Sequence, residues 1–353
     1  CRDNASITSE VIDLGRNRVE VKIKINEGSV AAIKRINFVG NEDFTNQQLA
    51  KRIELEQTRG WTLFSSADQY SREKLGGDLE RLTSWYLDRG YLRFNVESTQ
   101  VAINPNKQDI FVTLGLHEGD QYTVSAIELS GELILTEEQL RPFVLLKAGD
   151  TFSRSAMTAS SEGIRNRLGI EGYTFAEVNG QPQIDDAKKE VKLNFIVNPG
   201  RRSYVRRINF DGNTSTNDEV LRREMLQLEG ASANTSLIRS SKQRLERLGY
   251  FSQVEVETLP VAGSPDLIDV NYTVKEQPSG SVSASLGYSQ SSGVVYGANI
   301  SQSNFLGTGN TASLGANKSD WRTSYNFSYH NPYYTLDGVS RGFNAFYRKT
   351  DFE

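Results

Sequence analysis

The sequence predicts an α+β fold in which small two-layer units repeat in tandem and lead into antiparallel strands of the kind that form a transmembrane β-barrel. Three observations support this prediction. A strand–helix–helix–strand–strand pattern recurs three times along the 353 residues. The closing half of the same pattern opens the chain. After about residue 279 the sequence changes to alternating segments with few charges.

Each repeat opens with a short run of alternating apolar residues that ends in glycine, at Gly40, Gly131 and Gly212. Apolar residues with a period of two predict a strand with one buried face. A helix start follows each run and carries a capping-box pattern, in which a Thr and the Gln or Glu three residues later satisfy the first free amides. The three predicted boxes are Thr45 with Gln48, Thr136 with Gln139, and Thr216 with Glu219.

The second helix of each repeat is amphipathic and ends at a Gly-Tyr pair. In the first repeat one helical stripe is apolar and consists of Leu75, Leu79, Leu82 and Tyr86. A glycine just past a helix end adopts the left-handed conformation. The three pairs are Gly90-Tyr91, Gly172-Tyr173 and Gly249-Tyr250. Two alternating strands then close each repeat, so the order β-α-α-β-β predicts a three-stranded sheet with two helices on one face.

The pattern divides the chain into five segments. Residues 1–28 predict only the closing hairpin of a repeat, so we expect the chain to begin inside one. Three complete repeats follow and are named here repeat 1 (29–120), repeat 2 (121–201) and repeat 3 (202–278). Residues 279–353 predict the first strands of a barrel. About five strands cannot close a barrel in lipid, so we expect this last segment to be incomplete.

The C-terminal segment differs in composition from the repeats. Only 9 of the last 75 residues are charged, against 75 of the preceding 278. Val282, Ala284, Leu286 and Tyr288 share one face of the first alternating run, and Ser and Gly residues share the other. Barrel strands require such segments of near ten residues, with the polar face lining the lumen. A soluble β-sandwich has the same periodicity, and the alternation alone leaves that alternative open.

No side-chain cluster in the sequence indicates catalysis. Cys1 is the only cysteine, so a disulfide framework and a Cys-based metal cluster are excluded. His117 and His330 are most simply structural or solvated, and residues 307–309 lack the strand-to-helix context of a phosphate loop. The net charge of −4 gives no reason to expect a nucleic-acid partner. We therefore predict that the protein is not an enzyme and needs no cofactor.

Several segments resemble a known family. Residues 86–95, 220–225 and 263–266 are similar to segments of polypeptide-transport-associated (POTRA) domains. Residues 304–310 and 331–339 resemble early barrel strands of the same family. The chain thus resembles the family of POTRA-repeat outer-membrane β-barrel assembly factors, in order and over essentially its whole length. By this resemblance the chain comprises the end of the second POTRA domain and then the third, fourth and fifth. The resemblance also disfavours the β-sandwich.

The resemblance implies a function and partners. The function is the assembly of outer-membrane proteins in a Gram-negative cell, with the barrel in the outer-membrane lipid bilayer and the POTRA domains in the periplasm. The implied partners are unfolded outer-membrane proteins, a periplasmic chaperone, and the accessory lipoproteins BamB and BamD, with BamC and BamE through the complex. A related POTRA-barrel secretion or translocation transporter is the alternative, although such transporters typically carry two POTRA domains. A soluble enzyme or binding module would need the catalytic cluster that the sequence lacks.

The resemblance also implies three groups of site residues. Those predicted for lipoproteins are Arg223 and Glu224 for BamD, and Ile53 and Leu55 for BamB. The predicted client edge strand is the outer second strand of repeat 1, where clients dock by β-augmentation, with Phe94, Val96, Val101 and Ile103. The predicted gate strand is the first barrel strand, which meets the last at a seam that opens laterally, with Gly280, Val282, Ala284, Leu286 and Tyr288.

Overall fold

A computed structural model describes most of the chain, namely residues 6–15, 18–26, 32–55, 72–105, 109–290, 293–335 and 337–351. The chain forms two compact bodies, Cys1–Ile164 with Val178–Val197, and Arg165–Glu177 with Asn198–Glu353. Among the residues so described, no helix is both long and apolar enough to cross a membrane.

The first body opens with the predicted hairpin, in which β1 (Ser6–Gly15) pairs antiparallel with β2 (Arg18–Asn26). Residues 16 and 17, between the two strands, lie outside the described residues. Repeat 1 follows as β3 (Ala32–Val39), α1 (Asn46–Ala50), α2 (Arg72–Leu87), β4 (Asn95–Ile103) and β5 (Asp109–His117). The sheet order is β3-β5-β4, with β3 parallel and β4 antiparallel to β5. This order places β4 at an edge.

The core of repeat 1 lies between the central strand and the helices. Every second residue of β5 is buried, as a half-covered strand requires. The predicted stripe of α2 faces the same core, with Leu79 partly buried at its margin. The buried members contributed by α1, α2 and β5 are Leu49, Leu75, Leu82, Tyr86, Ile110, Val112, Leu114 and Leu116.

Repeats 2 and 3 have the same element order. Repeat 2 consists of β6 (Thr123–Gly131), α3 (Glu137–Leu140) with a 3-10 turn (Arg141–Phe143), α4 (Arg154–Ile170), β7 (Glu177–Asp185) and β8 (Glu190–Asn198). Repeat 3 consists of β9 (Tyr204–Asp211), α5 (Asp218–Arg222), α6 (Thr235–Arg247), β10 (Phe251–Val261) and β11 (Ser264–Glu276). The sheet orders are β6-β8-β7 and β10-β11-β9. The prediction of three β-α-α-β-β units is confirmed.

The glycine that ends the first strand of each repeat is required by a close backbone approach. Gly40, Gly131 and Gly212 have φ values of +87°, +93° and +89°. A β-carbon at these positions would lie 2.1 to 2.2 Å from a carbonyl oxygen of the central strand, that of Leu116, Val197 or Val274 respectively. Both the left-handed backbone and the missing side chain are therefore needed.

The predicted helix starts are confirmed in two repeats and wrong in the third. The Thr45 amide donates to Gln48 Oε1 at 2.9 Å, and the Gln48 amide donates back to Thr45 Oγ1 at 3.4 Å. In repeat 2 the Thr136 amide donates to Gln139 Oε1 at 3.1 Å. In repeat 3, however, α5 starts one residue later than predicted, with Asn217 at its N-cap. Thr216 is buried and bonded elsewhere, as described below.

The C-terminal segment forms one antiparallel sheet of consecutive strands, β12 (Gly280–Ser289), β13 (Gly293–Phe305), β14 (Asn310–Lys318), β15 (Arg322–Asn331) and β16 (Arg341–Thr350). The register gathers like residues into rows across the strands. One row is apolar and contains Val282, Ile300, Leu314, Phe327 and Ala345. Its neighbour is polar and contains Ser281, Ser301, Ser313, Ser328 and Asn344. The two predicted faces are therefore present.

Candidate functional site

The predicted client edge lies on β4, which has β5 as its only hydrogen-bonded neighbour in the described part of the sheet. Val101 and Ile103 are exposed, at 36% and 43%. Val96 is half-buried and packs against the core. Phe94 corrects the prediction, because it precedes the strand and its ring is buried in the core, stacked on Tyr86 at a centroid distance of 4.0 Å. The edge strand is therefore Asn95–Ile103, without Phe94.

A groove of about 530 Å³ runs beside this edge between α2 and β4. Its lining includes Leu79 and Thr83 of α2 and Asn95 and Val96 of β4. An added strand takes its affinity from backbone hydrogen bonds and its selectivity from spaces that accept alternate side chains. An open edge with an adjoining groove can supply both.

Proline content distinguishes the second strands of the three repeats from one another. The sequence of β4, NVESTQVAI, has no proline. In contrast β7 contains Pro182, and β10 contains Pro260. Because proline lacks an amide hydrogen, it interrupts strand addition and is one of the means by which natural edges are blocked. Among the second strands of the three complete repeats, β4 is therefore the best suited to receive another chain.

The residues predicted to contact BamB lie after α1. The Leu55 side chain is 2% exposed, and its amide donates to Asp78 Oδ2 at 2.9 Å. Ile53 is half-buried against the same core. In this conformation Leu55 offers a partner almost no side-chain surface, and Ile53 offers only part of one. The contact itself stays a prediction.

The residues predicted to contact BamD lie at the end of α5 and have intramolecular partners. Glu224 is 5% exposed and accepts a hydrogen bond from Arg244 Nε at 2.9 Å. The guanidinium of Arg223 lies over the ring of Tyr333, 4.3 Å from its centroid. A partner that bound these side chains directly would have to displace Arg244 and Tyr333. This contact also stays a prediction.

All five predicted gate residues lie in β12, which is an edge of the described sheet and pairs with β13. Val282, Leu286 and Tyr288 are 78%, 80% and 77% exposed. The alternate positions are Ser or Gly, which offer little cross-strand packing. On its Ser and Gly face, this edge therefore offers a neighbouring strand few side-chain contacts.

The Gly-Tyr pairs have a second role that the sequence analysis missed. Their glycines are left-handed as predicted, with φ values of +89°, +102° and +72°. The carbonyl of each glycine also accepts a hydrogen bond. The donors to Gly90 and Gly172 come from the next repeat, namely Tyr122 N at 2.9 Å and Ser203 N at 2.8 Å. The donor to Gly249 is Gln277 Nε2 at 3.0 Å, at the end of repeat 3 itself. In repeats 1 and 2 the end of the second helix is therefore also bonded to the next repeat.

A buried polar side chain in each second helix is another repeated feature. It accepts the amide of the loop between the two helices, which would otherwise be unpaired. The pairs are Asp78 with Leu55 at 2.9 Å, Ser160 with Leu145 at 2.9 Å, and Ser241 with Leu226 at 2.8 Å. The sequence signal was available, because Ser160 and Ser241 each follow their partner by 15 residues.

A carboxylate at the end of the last strand holds the loop between the first strand and first helix in repeats 1 and 3. Glu118 accepts the amides of Glu42 and Asp43 at 2.8 and 2.7 Å, and the Tyr86 hydroxyl at 2.5 Å. Burial, together with this hydrogen bond, raises the pKa of Tyr86. The carboxylate thus pairs the two loop amides, which have no partner within a strand or helix.

In repeat 3 the corresponding carboxylate is Glu276. It accepts the amides of Ser215 and Thr216, the latter at 2.7 Å, and the Thr214 hydroxyl at 2.9 Å. Burial alone would raise the pKa of Glu276, but the donors on Thr216, Thr214 and Ser215 outweigh it and lower that pKa to about 2. The Thr216 amide is thus engaged here and is not available for the predicted capping box.

Within the ranges that the structure describes, no group of three or more His, Cys, Asp or Glu side chains is close enough to hold a metal ion. His117 at the end of β5 and His330 in β15 are both exposed.

The repeats and the sheet together define a class of protein in which POTRA domains precede an antiparallel membrane-type sheet. The model of the POTRA family (surface antigen variable number repeat) matches residues 31–119, 122–200 and 203–277. The model of the Omp85 superfamily domain matches residues 304–353. The chain belongs to the POTRA-repeat proteins of the Omp85 superfamily.

Curated relatives are similar over nearly the whole chain. The outer membrane protein assembly factor BamA of Neisseria meningitidis serogroup B is 35% identical over 349 residues, which are 99% of this chain and 44% of that protein. BamA of Buchnera aphidicola is 32% identical over 331 residues, 94% of this chain and 54% of that protein. The chain therefore spans about half the length of these relatives.

Solved structures agree with the fold. Haemophilus influenzae BamA POTRA3-5 matches with a TM-score of 0.62 and 35% identity, covering 70% of this chain and 97% of that one. Haemophilus ducreyi BamA lacking POTRA domains 1-3 matches with a TM-score of 0.59 and 40% identity, covering 65% of this chain and 43% of that one. These matches confirm the predicted POTRA architecture and the start of the barrel.

Proposed function

We propose that this chain is part of an outer-membrane protein assembly factor of a Gram-negative cell, with its repeats in the periplasm and its C-terminal sheet in the lipid bilayer. Two relatives that are 35% and 32% identical carry that name. The observation that carries the proposal is the open, proline-free edge of β4 beside its groove. Such an edge suits clients that arrive as unpaired β-strands.

Client capture at this edge takes place by β-augmentation. Unfolded outer-membrane proteins, delivered by a periplasmic chaperone, align with Asn95–Ile103 and pair with its free backbone groups. The exposed Val101 and Ile103 add apolar contact. Since most of the affinity comes from backbone groups, one edge can receive clients of many sequences.

Insertion takes place at the β12 edge. In the complete barrel this strand meets the last strand at a seam, and its Ser, Gly and Ala side chains keep that pairing weak. An opened seam exposes the backbone of β12 as a template for an incoming strand. Strand exchange makes and breaks only hydrogen bonds, so the proposed function is not enzymatic and needs no cofactor.

The row of repeats also holds accessory lipoproteins. We infer that BamB docks on repeat 1 near Ile53 and that BamD docks on repeat 3 near α5, with BamC and BamE joining through the complex. The support is the family resemblance of these positions together with the half-exposed surface at Ile53. Leu55 and Glu224 are buried and Arg223 is half-buried, which implies that each contact also involves neighbouring residues.

The test of client capture places a proline in β4. The Asn104 amide donates to Asp109 O at 2.9 Å. Amide directions alternate along an antiparallel strand, so the Gln100 amide faces β5 and the Thr99 amide faces the open edge. In the full-length protein, Thr99→Pro is expected to reduce photo-crosslinking of a client peptide to β4 at least fivefold, because an edge amide is lost. Thr99→Ala keeps the amide and is expected to crosslink normally. Normal crosslinking by Thr99→Pro would contradict the proposal.

A further inference from the structure

The turn between β13 and β14 lies directly on repeat 3, within the second body. The Asn217 amide donates to Gly307 O at 2.9 Å, and Asn304 Nδ2 donates to the buried Thr216 Oγ1 at 2.8 Å. The Tyr250 hydroxyl donates to Gly309 O at 3.3 Å. Three hydrogen bonds therefore join the turn to repeat 3, and they explain why Thr216 does not cap α5.

The backbone of this turn is held in an unusual conformation. Asn304 and Leu306 have φ values of +56° and +53°, and Gly307 and Gly309 both have +75°. Left-handed residues other than glycine store strain and persist only where their surroundings hold them. Here the Asn304 side chain closes the turn, because its Oδ1 accepts the Gly309 amide at 2.8 Å. One asparagine thus shapes the turn and binds it to repeat 3.

Close contact with repeat 3 also fixes the residue type at one position of the turn. A β-carbon on Gly307 would lie 1.9 Å from the carbonyl oxygen of Ser215. Ser215 belongs to the loop after β9, and the Ser215 amide donates to the Glu276 carboxylate. The turn therefore lies against a loop that is itself fixed, and only glycine allows this distance.

A second contact joins α5 to the loop after β15. Arg223 lies over the Tyr333 ring, and Arg244 Nη2 donates to the Tyr333 hydroxyl at 3.4 Å. Glu224 lies between the two arginines, 2.9 Å from Arg244 Nε and 3.9 Å from Arg223 Nε. A carboxylate that is 5% exposed is stable as an anion only with such partners. Both members of the predicted lipoprotein site are thus engaged at this junction.

We propose that Arg223 and Glu224 are positioning residues, which together with Asn304 and Tyr333 hold the β13–β14 turn and the loop after β15 on repeat 3. The start of the gate strand is tied into the same junction, because Ser279 Oγ donates to Ser303 O at 2.6 Å and Gln277 N donates to Tyr250 O at 2.9 Å. Repeat 3 thereby sets the position of the nearer end of β12. This inference does not depend on client capture.

The first test distinguishes loss of the contact between Gly307 and Ser215 from the strain of a left-handed alanine. In the full-length protein in nanodiscs, Gly307→Ala is expected to speed hydrogen exchange of residues 214–218 and 305–310 at least tenfold. Gly263→Ala is the matched control, because Gly263 has a φ of +79° but no atom within 4 Å of an added β-carbon. It is expected to leave both segments unchanged. Equal effects of the two variants, or none from Gly307→Ala, would overturn the proposal.

The second test addresses the arginine–tyrosine contact. Tyr333→Ala is expected to speed exchange at the end of α5, residues 220–225, at least threefold, while residues 268–274 in the centre of β11 stay protected. Tyr333→Phe keeps the ring and is expected to restore most of the protection. Tyr334→Ala is the control, because Tyr334 is 56% exposed and lies under Arg341, away from repeat 3. Unchanged exchange in Tyr333→Ala would mean that Arg223 and Glu224 do not act through this contact.

Discussion

Glu276 shows how one carboxylate organises a loop and its neighbours. It accepts donors from three consecutive residues of the loop after β9, Thr214 to Thr216. The hydroxyl of Thr216 then accepts from Asn304, and the loop carbonyl of Ser215 faces Gly307. The conformation of the loop after β9 and the attachment of the β13–β14 turn to that loop therefore both depend on the Glu276 carboxylate.

This dependence predicts a stability profile in acid. Because the folded-state pKa of Glu276 is about 2, below its ordinary value of 4.5, its contribution is complete above about pH 4.5 and is lost as pH falls towards 2. After allowance for solvent screening, the contribution is ~1–2 kcal/mol. Glu276→Gln should remove this part of the pH dependence between pH 5 and 2 in urea unfolding of repeat 3, followed by hydrogen exchange. An unchanged profile would show that the carboxylate is not the responsible group.

A second prediction at this scale concerns Gly212. Gly212→Ala is expected to destabilise repeat 3 by more than ~2 kcal/mol, because left-handed strain of ~1–2 kcal/mol adds to a clash 2.1 Å from Val274 O. Gly230→Ala carries the same strain without the clash, since Gly230 has a φ of +78° and no atom within 4 Å of an added β-carbon. Gly230→Ala should lower the free energy of unfolding by ~1 kcal/mol. Equal losses of unfolding free energy in the two variants would contradict the role assigned to the close approach.

At the scale of elements, each second helix carries a buried polar residue that accepts an amide of the preceding loop. Ser241 accepts the Leu226 amide at 2.8 Å and donates to Leu237 O at 2.8 Å. It therefore links the loop to the helix without leaving a donor or acceptor unpaired. The same arrangement at Ser160 indicates a requirement of the repeat rather than an accident of one copy.

Removal of the Ser241 hydroxyl should lower the stability of repeat 3. Ser241→Ala leaves the Leu226 amide buried and unpaired, with an expected loss of ~1–3 kcal/mol in the free energy of unfolding of repeat 3. Ser236→Ala lies on the exposed side of the same helix and should change stability by less than ~0.5 kcal/mol. Urea unfolding of the two variants is the measurement, and a Ser241→Ala protein as stable as Ser236→Ala would refute the assignment.

The elements also show what local sequence can predict. Strand alternation, the Gly-Tyr helix ends and the capping box at Thr45 depend on neighbours within a few residues, and all are confirmed. The box at Thr216 was wrong because its hydroxyl is bonded to Asn304, 88 residues away. Phe94 was assigned to the edge, but the stacking on Tyr86 that buries it is a tertiary contact. Sequence pattern alone does not reveal such distant partners.

For the whole molecule, the hydrogen bonds between repeats and the proline content of the second strands suit the repeats to different roles. Hydrogen bonds to the Gly90 and Gly172 carbonyls tie repeats 1 and 2 to the repeat that follows each of them. Of the three second strands, only β4 is free of proline. Repeat 1 is therefore suited to receive clients, and repeat 3 to hold the sheet.

The proposed insertion of clients requires the β12 edge to open and template client strands. In the full-length protein, Ala284→Cys in β12 would be paired with a cysteine in the last strand of the barrel, and each single-cysteine variant would be the control. The rate of folding of an outer-membrane client is then measured in proteoliposomes before and after reduction. We expect the oxidised pair to stop client assembly and reduction to restore it, whereas assembly at the normal rate by the oxidised protein would contradict opening at this edge.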